Sequence, residues 1–210
     1  GHSVERLAEK GLAALMMANA PAAMAPKGGR TPVFGTNPVA FACPRGEGKA
    51  PVVVDLSLSE AARGKVMLAA KEERTIPIGW GVDSQGQPTT DPHQVLNGGS
   101  MVPMGDAKGS ALALMVELLA AALVGANPSF EASSFFDAQG PAPGVGQWML
   151  VLNPDFFSGD EFLARVESIL SAIEVQARLP GQRRLTARQD RQVIISDTLM
   201  EELEAATLSG

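Results

Sequence analysis

Charged residues stand at three places in this 210-residue sequence where their side chains could take part in chemistry, and Asp55 is the first. Asp55 follows three consecutive valines, a run typical of a strand, so its carboxylate is expected at the rim of a sheet and partly buried. Partial burial would raise the pKa of this carboxylate, which makes Asp55 a candidate acid or base. The alternative is that Asp55 caps a helix beginning near Glu60.

Lys108 is the second such position. It lies in the first turn of the most apolar helix that the sequence predicts, residues 108–124. A phosphate or carboxylate bound there would meet the lysine, free backbone N–H groups and the positive end of the helix dipole. Gly105 and Gly109 would let the backbone approach such a ligand closely. The alternative is that Lys108 points into water.

Arg183 and Arg184 form the third, directly after a Pro180-Gly181 turn. Guanidinium groups bind phosphate in a bidentate manner, so this pair is a candidate phosphate fork. A solvated basic linker between two helices is the alternative.

A tight polar turn, Gly35-Thr36-Asn37-Pro38, separates two apolar segments. The side chains of Thr36 and Asn37 could hydrogen-bond a ligand or close the turn on its own backbone. The turn by itself favours the second interpretation.

Both helices and strands are expected to position these groups. The predicted strands are residues 12–20, 39–43, 52–54, 147–154 and a short segment from Val193, and the predicted helices are residues 4–10, 61–73, 108–124, 160–177 and a final helix capped by Ser196 or Asp197. A long connection, residues 75–92, is rich in glycine and proline, and long loops in compact domains are often functional.

Helix 108–124 is apolar on all sides, so other elements are expected to cover it completely. It is shorter than the roughly 20 residues that a membrane span requires. Asp106 or Ser110 is expected to cap its first N–H groups.

Composition excludes several classes of function. The net charge of −6 argues against a nucleic-acid or anionic-membrane surface and favours small-molecule partners. A single cysteine, Cys43, with two histidines cannot build a zinc cluster or an internal disulfide framework, so no metal is expected and a reducing cytoplasm is favoured.

The sequence resembles the malate/L-lactate dehydrogenase-like family of NAD(P)-dependent oxidoreductases, near its piperideine-2-carboxylate and pyrroline-2-carboxylate reductase branch. The resemblance covers nearly the whole chain. It is carried by five motifs in the family's order: GTNPVAFACP (35–44), VVVDLSLSEAARGKV (52–66), IPIGWGVDSQGQPTTDP (76–92), VPMGDAKGSALALMVELLAAALVG (102–125) and LPGQRR (179–184).

The resemblance implies an α+β fold that is not of the Rossmann type, with NADPH or NADH held by a largely antiparallel sheet domain flanked by helices. That domain would comprise residues 1–155, including helix 108–124. Residues 156–210 would form a C-terminal helical segment that packs on an N-terminal domain of the full-length protein. A homodimer is also implied.

Residues that match the family's cofactor segments are implied to contact NADPH or NADH, and Asp55 matches an active-site aspartate. These residues are Val53, Val54, Asp55, Leu56, Ser57, Leu58, Lys108, Gly109, Gln182, Arg183 and Arg184. The implied reaction is hydride transfer between NAD(P)H and a small 2-oxo acid or cyclic 2-imino acid. NADPH is expected to be preferred, with Arg183 or Arg184 binding the extra phosphate.

The sequence departs from the family's pattern at two points. Asp106-Ala107 replaces the Gly-Gly or Gly-His that precedes the lysine in many members, which could alter cofactor contacts. The family's catalytic histidine lies in a Ser-His-Gly motif near the N-terminus, and the 210 residues contain no such motif. The proton donor is therefore expected outside this sequence, and the alternative function is a non-catalytic nucleotide-binding or assembly remnant.

Overall fold

A computed structural model of the chain describes residues 1–137, 140–188, 192 and 194–208. Its larger sheet is antiparallel, with the spatial order β3, β2, β1, β7. The strands are β1 (Ala13–Ala18), β2 (Val39–Cys43), β3 (Val52–Leu56) and β7 (Gln147–Leu152). The predicted combination of helices and antiparallel sheet is confirmed, and β3 extends far enough to include Asp55.

A second, smaller sheet lies in and after the predicted long connection. Its strands β4 (Gly81–Val82), β5 (Pro88–Thr89) and β6 (Ser100–Met101) are antiparallel in the order β5, β4, β6. Helix α3 (Pro92–Leu96) contacts all three of these strands, and α2 (Arg63–Lys71) packs against α3. The carboxylate of Asp83 closes the β4–β5 turn by accepting hydrogen bonds from two backbone N–H groups. Much of the connection is therefore structural.

The most apolar helix, α4 (Ala107–Glu117), continues in a π-helical turn, Leu118–Ala122. Its small side chains, with Val116, face the main core and allow close approach to β1 and β7. The described residues of the chain do not by themselves cover α4 on every side. Four large side chains on its other faces are 37–56% exposed: Leu112, Leu114, Met115 and Leu118.

Helix α1 (His2–Ala8) packs on β1 and β2 and builds a second small core with them. Near the C-terminus lie α5 (Glu161–Glu174), α6 (Gln182–Ala187) and α7 (Asp197–Leu208). Ser196 caps α7 by accepting a hydrogen bond from the Leu199 N–H at 3.3 Å. None of the helices in the described part of the chain is long and apolar enough to cross a membrane.

Two interpretations near the C-terminus are corrected. Arg183 and Arg184 do not lie in a linker between helices, because residues 182–187 form α6. The predicted strand is not seen in residues 194–196, and its first residue, Val193, lies outside the described residues.

Charged hydrogen bonds connect the loop after β2 to α5. Arg45 donates through Nε and Nη2 to the two carboxylate oxygens of Glu167, at 2.9 and 3.0 Å, and Lys49 Nζ lies 2.5 Å from Oε2. The hydrogen bonds from Arg45, followed by that from Lys49, lower the pKa of Glu167 to about 2. Because this pKa is below its ordinary value, the contacts stabilise the fold while Glu167 is charged.

We expect Glu167→Gln to lower the free energy of unfolding by about 1–2 kcal/mol at pH 7, the range of charged hydrogen bonds discounted for partial exposure. The contribution is present above the unfolded-state pKa near 4.5 and is lost as the pH falls to about 2. The difference between wild type and variant should therefore shrink over this window in urea titrations. Glu161→Gln, which breaks an exposed pair with Arg165 on the same helix, is the control and should change stability by less than about 0.5 kcal/mol. If wild type and Glu167→Gln differed by the same free energy of unfolding from pH 6 to pH 2, the contribution assigned to the charged Glu167 carboxylate would be contradicted.

Candidate functional site

A cavity of about 530 Å³ lies between β3 and the turn before α6. Two of the three segments that were predicted to hold the cofactor meet there. The lining residues are Val53, Val54, Asp55 and Leu56 from β3, with Pro180, Gly181, Arg183, Arg184 and Ala187. Gly181 has a φ of 81°, and a Cβ at this position would lie 2.8 Å from the Val53 carbonyl oxygen. Only glycine therefore allows the turn to approach β3 so closely.

Asp55 lies on the edge strand of the larger sheet, paired with Ala40 of β2. Its side chain is 54% exposed, and Oδ2 lies 2.8 Å from the amino nitrogen of Gly1. The expected partial burial is wrong because β3 has a neighbouring strand on one side only. The helix-cap alternative is also wrong, since α2 begins at Arg63 and has Ala62 as its N-cap. The carboxylate instead lines the cavity.

The two arginines of the predicted phosphate fork have different environments. Arg184 donates to both carboxylate oxygens of Glu5, at 2.6 and 2.8 Å, and Arg188 binds the same oxygens from the next turn of α6. Burial of Glu5 acts to raise its pKa, but the hydrogen bonds from Arg188 and Arg184 outweigh burial and lower the pKa below its ordinary value. Arg183 is exposed, and within the described chain no carboxylate lies within ion-pair distance of it. Arg183 is thus the member of the pair that is free to bind an anion.

The loop before α4 runs beside the continuation of β3. Leu58 accepts a hydrogen bond from the Met104 N–H at 2.9 Å, and Glu60 donates to the Val102 carbonyl at 2.8 Å. The Gly181 turn therefore borders β3, and the loop that leads into α4 is hydrogen-bonded to the residues just after β3, so both adjoin one stretch of chain, residues 53–60. Within that stretch, the side chains of Val53 and Leu58 are buried in the two cores.

The first turn of α4 has no side-chain cap. Asp106, the N-cap residue, pairs with Lys27 at 2.7 Å, and Ser110 accepts a hydrogen bond from the Lys27 N–H, so neither caps the helix as expected. Asp106 has a φ of 61°, a conformation that favours glycine. A Cβ on Gly109 would lie 2.0 Å from the Met104 carbonyl oxygen. Lys108 is exposed, with no acidic partner among the described residues.

Asn37 is fully buried and takes part in a polar network inside the protein. Its Nδ2 donates to Glu117 Oε1 at 2.7 Å and to the Ala113 carbonyl at 3.2 Å. Ser129 donates to the same Glu117 carboxylate through its hydroxyl group and, at 3.1 Å, through its backbone N–H. The Asn37 side chain therefore supports the turn, and of the two candidates only Thr36 lines an open space.

That space is a second cavity, of about 410 Å³. Thr36, Arg63 and Ser129 are among its polar lining residues, and Phe130, Phe135 and Phe136 supply aromatic walls. The Leu58 N–H donates to the Thr36 carbonyl oxygen at 2.8 Å. The second cavity thus adjoins the strand that borders the first.

Residue types alone did not identify Arg63, Glu5 or Ser129 as part of the two cavities and their supporting contacts.

Cys43 is buried, and burial raises the pKa of its thiol. His93 lies at the surface on α3, 3.6 Å from Glu73. Within the described residues, no group of three or more His, Cys, Asp or Glu side chains is placed to hold a metal ion.

Comparison with known proteins identifies the family to which the chain belongs. A family model described as malate/L-lactate dehydrogenase matches residues 1–204. The chain therefore belongs to the malate/L-lactate dehydrogenase family, as the sequence motifs predicted.

Individual relatives support this assignment. The (2R)-3-sulfolactate dehydrogenase (NADP(+)) of Chromohalobacter salexigens is 52% identical over 213 residues, covering 100% of this chain and 63% of the relative. The Δ1-pyrroline-2-carboxylate/Δ1-piperideine-2-carboxylate reductase of Pseudomonas syringae pv. tomato is 43% identical over 206 residues, covering 96% of this chain and 60% of the relative.

The crystal structure of Δ1-piperideine-2-carboxylate reductase from Pseudomonas syringae pv. tomato superposes with a TM-score of 0.86 at 43% identity. The aligned region covers 97% of this chain and 63% of the chain in that structure. The chain thus spans about three fifths of the length of these relatives.

We expect Asn37→Ala to lower the free energy of unfolding by about 2–4 kcal/mol. The change removes donors from a buried carboxylate, a loss of about 1–3 kcal/mol, and places alanine at a φ of 41°, which costs about 1 kcal/mol more. Urea unfolding measures the difference. Asn37→Gly separates the two effects, because glycine tolerates this φ but cannot donate to Glu117. A glycine variant as stable as wild type would show that the network contributes nothing.

Proposed function

We propose that the protein transfers a hydride between NAD(P)H and a small 2-oxo acid or cyclic 2-imino acid. The observation that carries this proposal is the meeting of the turn before α6 and the loop that leads into α4 along one stretch of chain, residues 53–60. The family and the two relatives, a sulfolactate dehydrogenase using NADP(+) and an imino acid reductase, support the same reaction class. The cofactor would lie against an antiparallel sheet rather than a Rossmann fold.

The residues present fit a dinucleotide. The uncapped N–H groups of α4 and the exposed ammonium group of Lys108 favour an anionic group at the helix start. Backbone and side chains of residues 53–58 would line the cofactor, with Gly109 and Gln182 at the two ends. Bound NAD(P)H supplies the hydride, and the protein orients the reactants and stabilises charge.

Asp55 is the proposed catalytic residue. Its exposed carboxylate on the cavity wall could accept or relay a proton, or hold the charge of a protonated donor. Thr36, on the wall of the second cavity, is the proposed substrate contact.

We further propose a cytoplasmic homodimer. A second copy would cover four exposed side chains on α4 and its π-helical continuation: Leu112, Leu114, Met115 and Leu118. Residues 1–155 would form the cofactor domain and residues 156–210 a helical segment that packs on another domain. A compact monomer at micromolar concentration in sedimentation velocity would contradict the dimer.

Oxidation of NADPH against a panel of pyruvate, oxaloacetate, pyrroline-2-carboxylate and piperideine-2-carboxylate tests the proposed function. At least one substrate should give turnover. Asp55→Asn is the control for contaminating activity, because it keeps the side-chain shape but removes the charge. It should lower kcat by about 100-fold or more. Tight cofactor binding without turnover on any substrate would favour a non-catalytic remnant.

We expect Arg183→Ala to weaken NADPH binding by roughly 10- to 150-fold and to leave NADH binding nearly unchanged. This range corresponds to one charge-assisted contact of about 1.5–3 kcal/mol with the extra phosphate. Arg184→Ala is the matched control. It should lower stability, since it deprives buried Glu5 of a partner, without changing the ratio of the two affinities. Equal losses for NADPH and NADH in Arg183→Ala, measured by titration, would contradict the phosphate assignment.

A further inference from the structure

Glu5 is a buried acidic residue that the proposed reaction does not use. It lies in α1, and its side chain is only 3% exposed. Arg184 and Arg188 each donate to both of its carboxylate oxygens, over distances of 2.6–2.9 Å. Hydrogen bonds between charged groups are stronger than those between neutral groups. Both arginines belong to the segment that carries Arg183 to the cavity beside β3.

The hydrogen bonds to Glu5 are the main attachment of α6. The helix comprises residues 182–187, and none of them is buried, so apolar packing contributes little to its position. In the described part of the chain, side chains of α6 and of its C-cap residue Arg188 hydrogen-bond to another helix or strand only at Glu5. The close approach of Gly181 to Val53 fixes the turn before α6 separately. Glu5 therefore determines how the rest of the helix is oriented.

The spacing of the arginines gives α6 two faces with different roles. Residues four apart lie on the same side of a helix, and successive residues are about 100° apart. Arg184 and Arg188 form one such pair, which contacts Glu5. Arg183 and Ala187 form another, and both line the cavity beside β3. Holding the first face against α1 therefore turns the exposed Arg183 toward the cavity.

The charge of Glu5 also decides which arginine is available to an anion. Two guanidinium groups close together repel each other, and the carboxylate between them offsets this repulsion. Arg184 uses both of its terminal nitrogens at Glu5, so its planar fork is occupied. Arg183 has no such partner among the described residues.

We infer that Glu5 is a positioning residue for the extra phosphate of NADPH, because it holds α6 so that Arg183, rather than Arg184, faces that phosphate. The inference rests on the proposed function and adds a residue of α1 to the determinants of cofactor choice. Glu5 does not line the cavity, so it acts only through the helix that it holds.

Titration of NADPH and NADH against wild type and Glu5→Gln tests this role. Glutamine keeps the size of the side chain but removes the charge that both arginines bind. The NADPH preference, defined as the ratio of the two affinities, should fall by at least about 5-fold. The fall should not exceed the roughly 10- to 150-fold expected for loss of the Arg183 contact. Because both affinities come from one preparation, their ratio does not depend on the folded fraction.

Glu9→Gln is the matched control. Glu9 is the exposed C-cap residue of α1, one turn after Glu5, and it makes no ion pair with α6 among the described residues. The substitution removes the same charge from the same helix, so it should leave the NADPH preference unchanged.

A double variant separates positioning from a general loss of structure. In Arg183→Ala the arginine that Glu5 positions is absent, so adding Glu5→Gln should change the NADPH preference by less than about 2-fold. Arg184→Ala alone should keep the preference, because Arg188 still binds Glu5. A destabilised fold would instead lower the affinities for NADPH and NADH together.

Hydrogen exchange of the α6 amides gives a readout that needs no cofactor. The N–H groups of Arg184 and Leu185 both donate to the Gly181 carbonyl. Exchange in a peptide covering residues 182–188 should be at least about 10-fold faster in Glu5→Gln than in wild type, since the helix loses its attachment to α1. The same peptide should exchange at the wild-type rate in Glu9→Gln.

An unchanged NADPH preference in Glu5→Gln, with both cofactors bound, would overturn the positioning role of Glu5 and leave hydride transfer intact. A higher preference would overturn it as well, because the released Arg184 would then bind the phosphate itself. Unchanged exchange of α6 would show that Glu5 does not hold the helix. If wild type bound neither cofactor, the proposed function would be contradicted, and the role of Glu5 in cofactor choice with it.

Discussion

The wall of the second cavity depends on the hydrogen bonds of one buried carboxylate, that of Glu117. A charge inside a protein must be paired or hydrogen-bonded, because the loss of hydration otherwise exceeds what packing can supply. Glu117 is on the core helix, and its donors come from the Asn37 turn and from Ser129, 12 residues further along the chain. The network therefore fixes the turn, the helix and the cavity wall relative to one another. The neighbouring Thr36 carbonyl then accepts a hydrogen bond from the Leu58 N–H, two residues after β3, and so holds the end of that strand in place.

Elements with a clear apolar pattern could be predicted from the sequence. Strand β2 has the predicted bounds, residues 39–43, because an apolar run stands between an Asn-Pro turn and a Pro-Arg-Gly segment. The small sheet was missed because its strands have two residues each, too few to show a period of two. The elements that cover α4 could not be predicted, since an apolar helix shows that burial is favourable but does not show which elements supply it.

The site was predictable in part, and the resemblance rather than spacing grouped its segments. Sequence could not distinguish Arg183 from Arg184, because the partner of Arg184 is Glu5, 179 residues earlier in the chain. The exposure of Asp55 was also unpredictable. Three valines predict a strand, but not whether it lies at the centre or at the edge of its sheet. Arg63 lies inside a predicted helix, and its distinguishing property is a buried Nε atom with no hydrogen-bond partner in the described part of the chain, which only three-dimensional packing shows.

The arginines in and beside these cavities have two kinds of role, and partner geometry separates them. Arg184 and Arg188 both form ion pairs with the Glu5 carboxylate and thereby hold α6 against α1, so their charges stabilise the fold. Arg183 and Arg63 line different cavities, and neither has an acidic partner among the described residues. For exposed Arg183 this is energetically neutral, since water solvates the charge. For Arg63 it is unfavourable, because part of the guanidinium group is dehydrated.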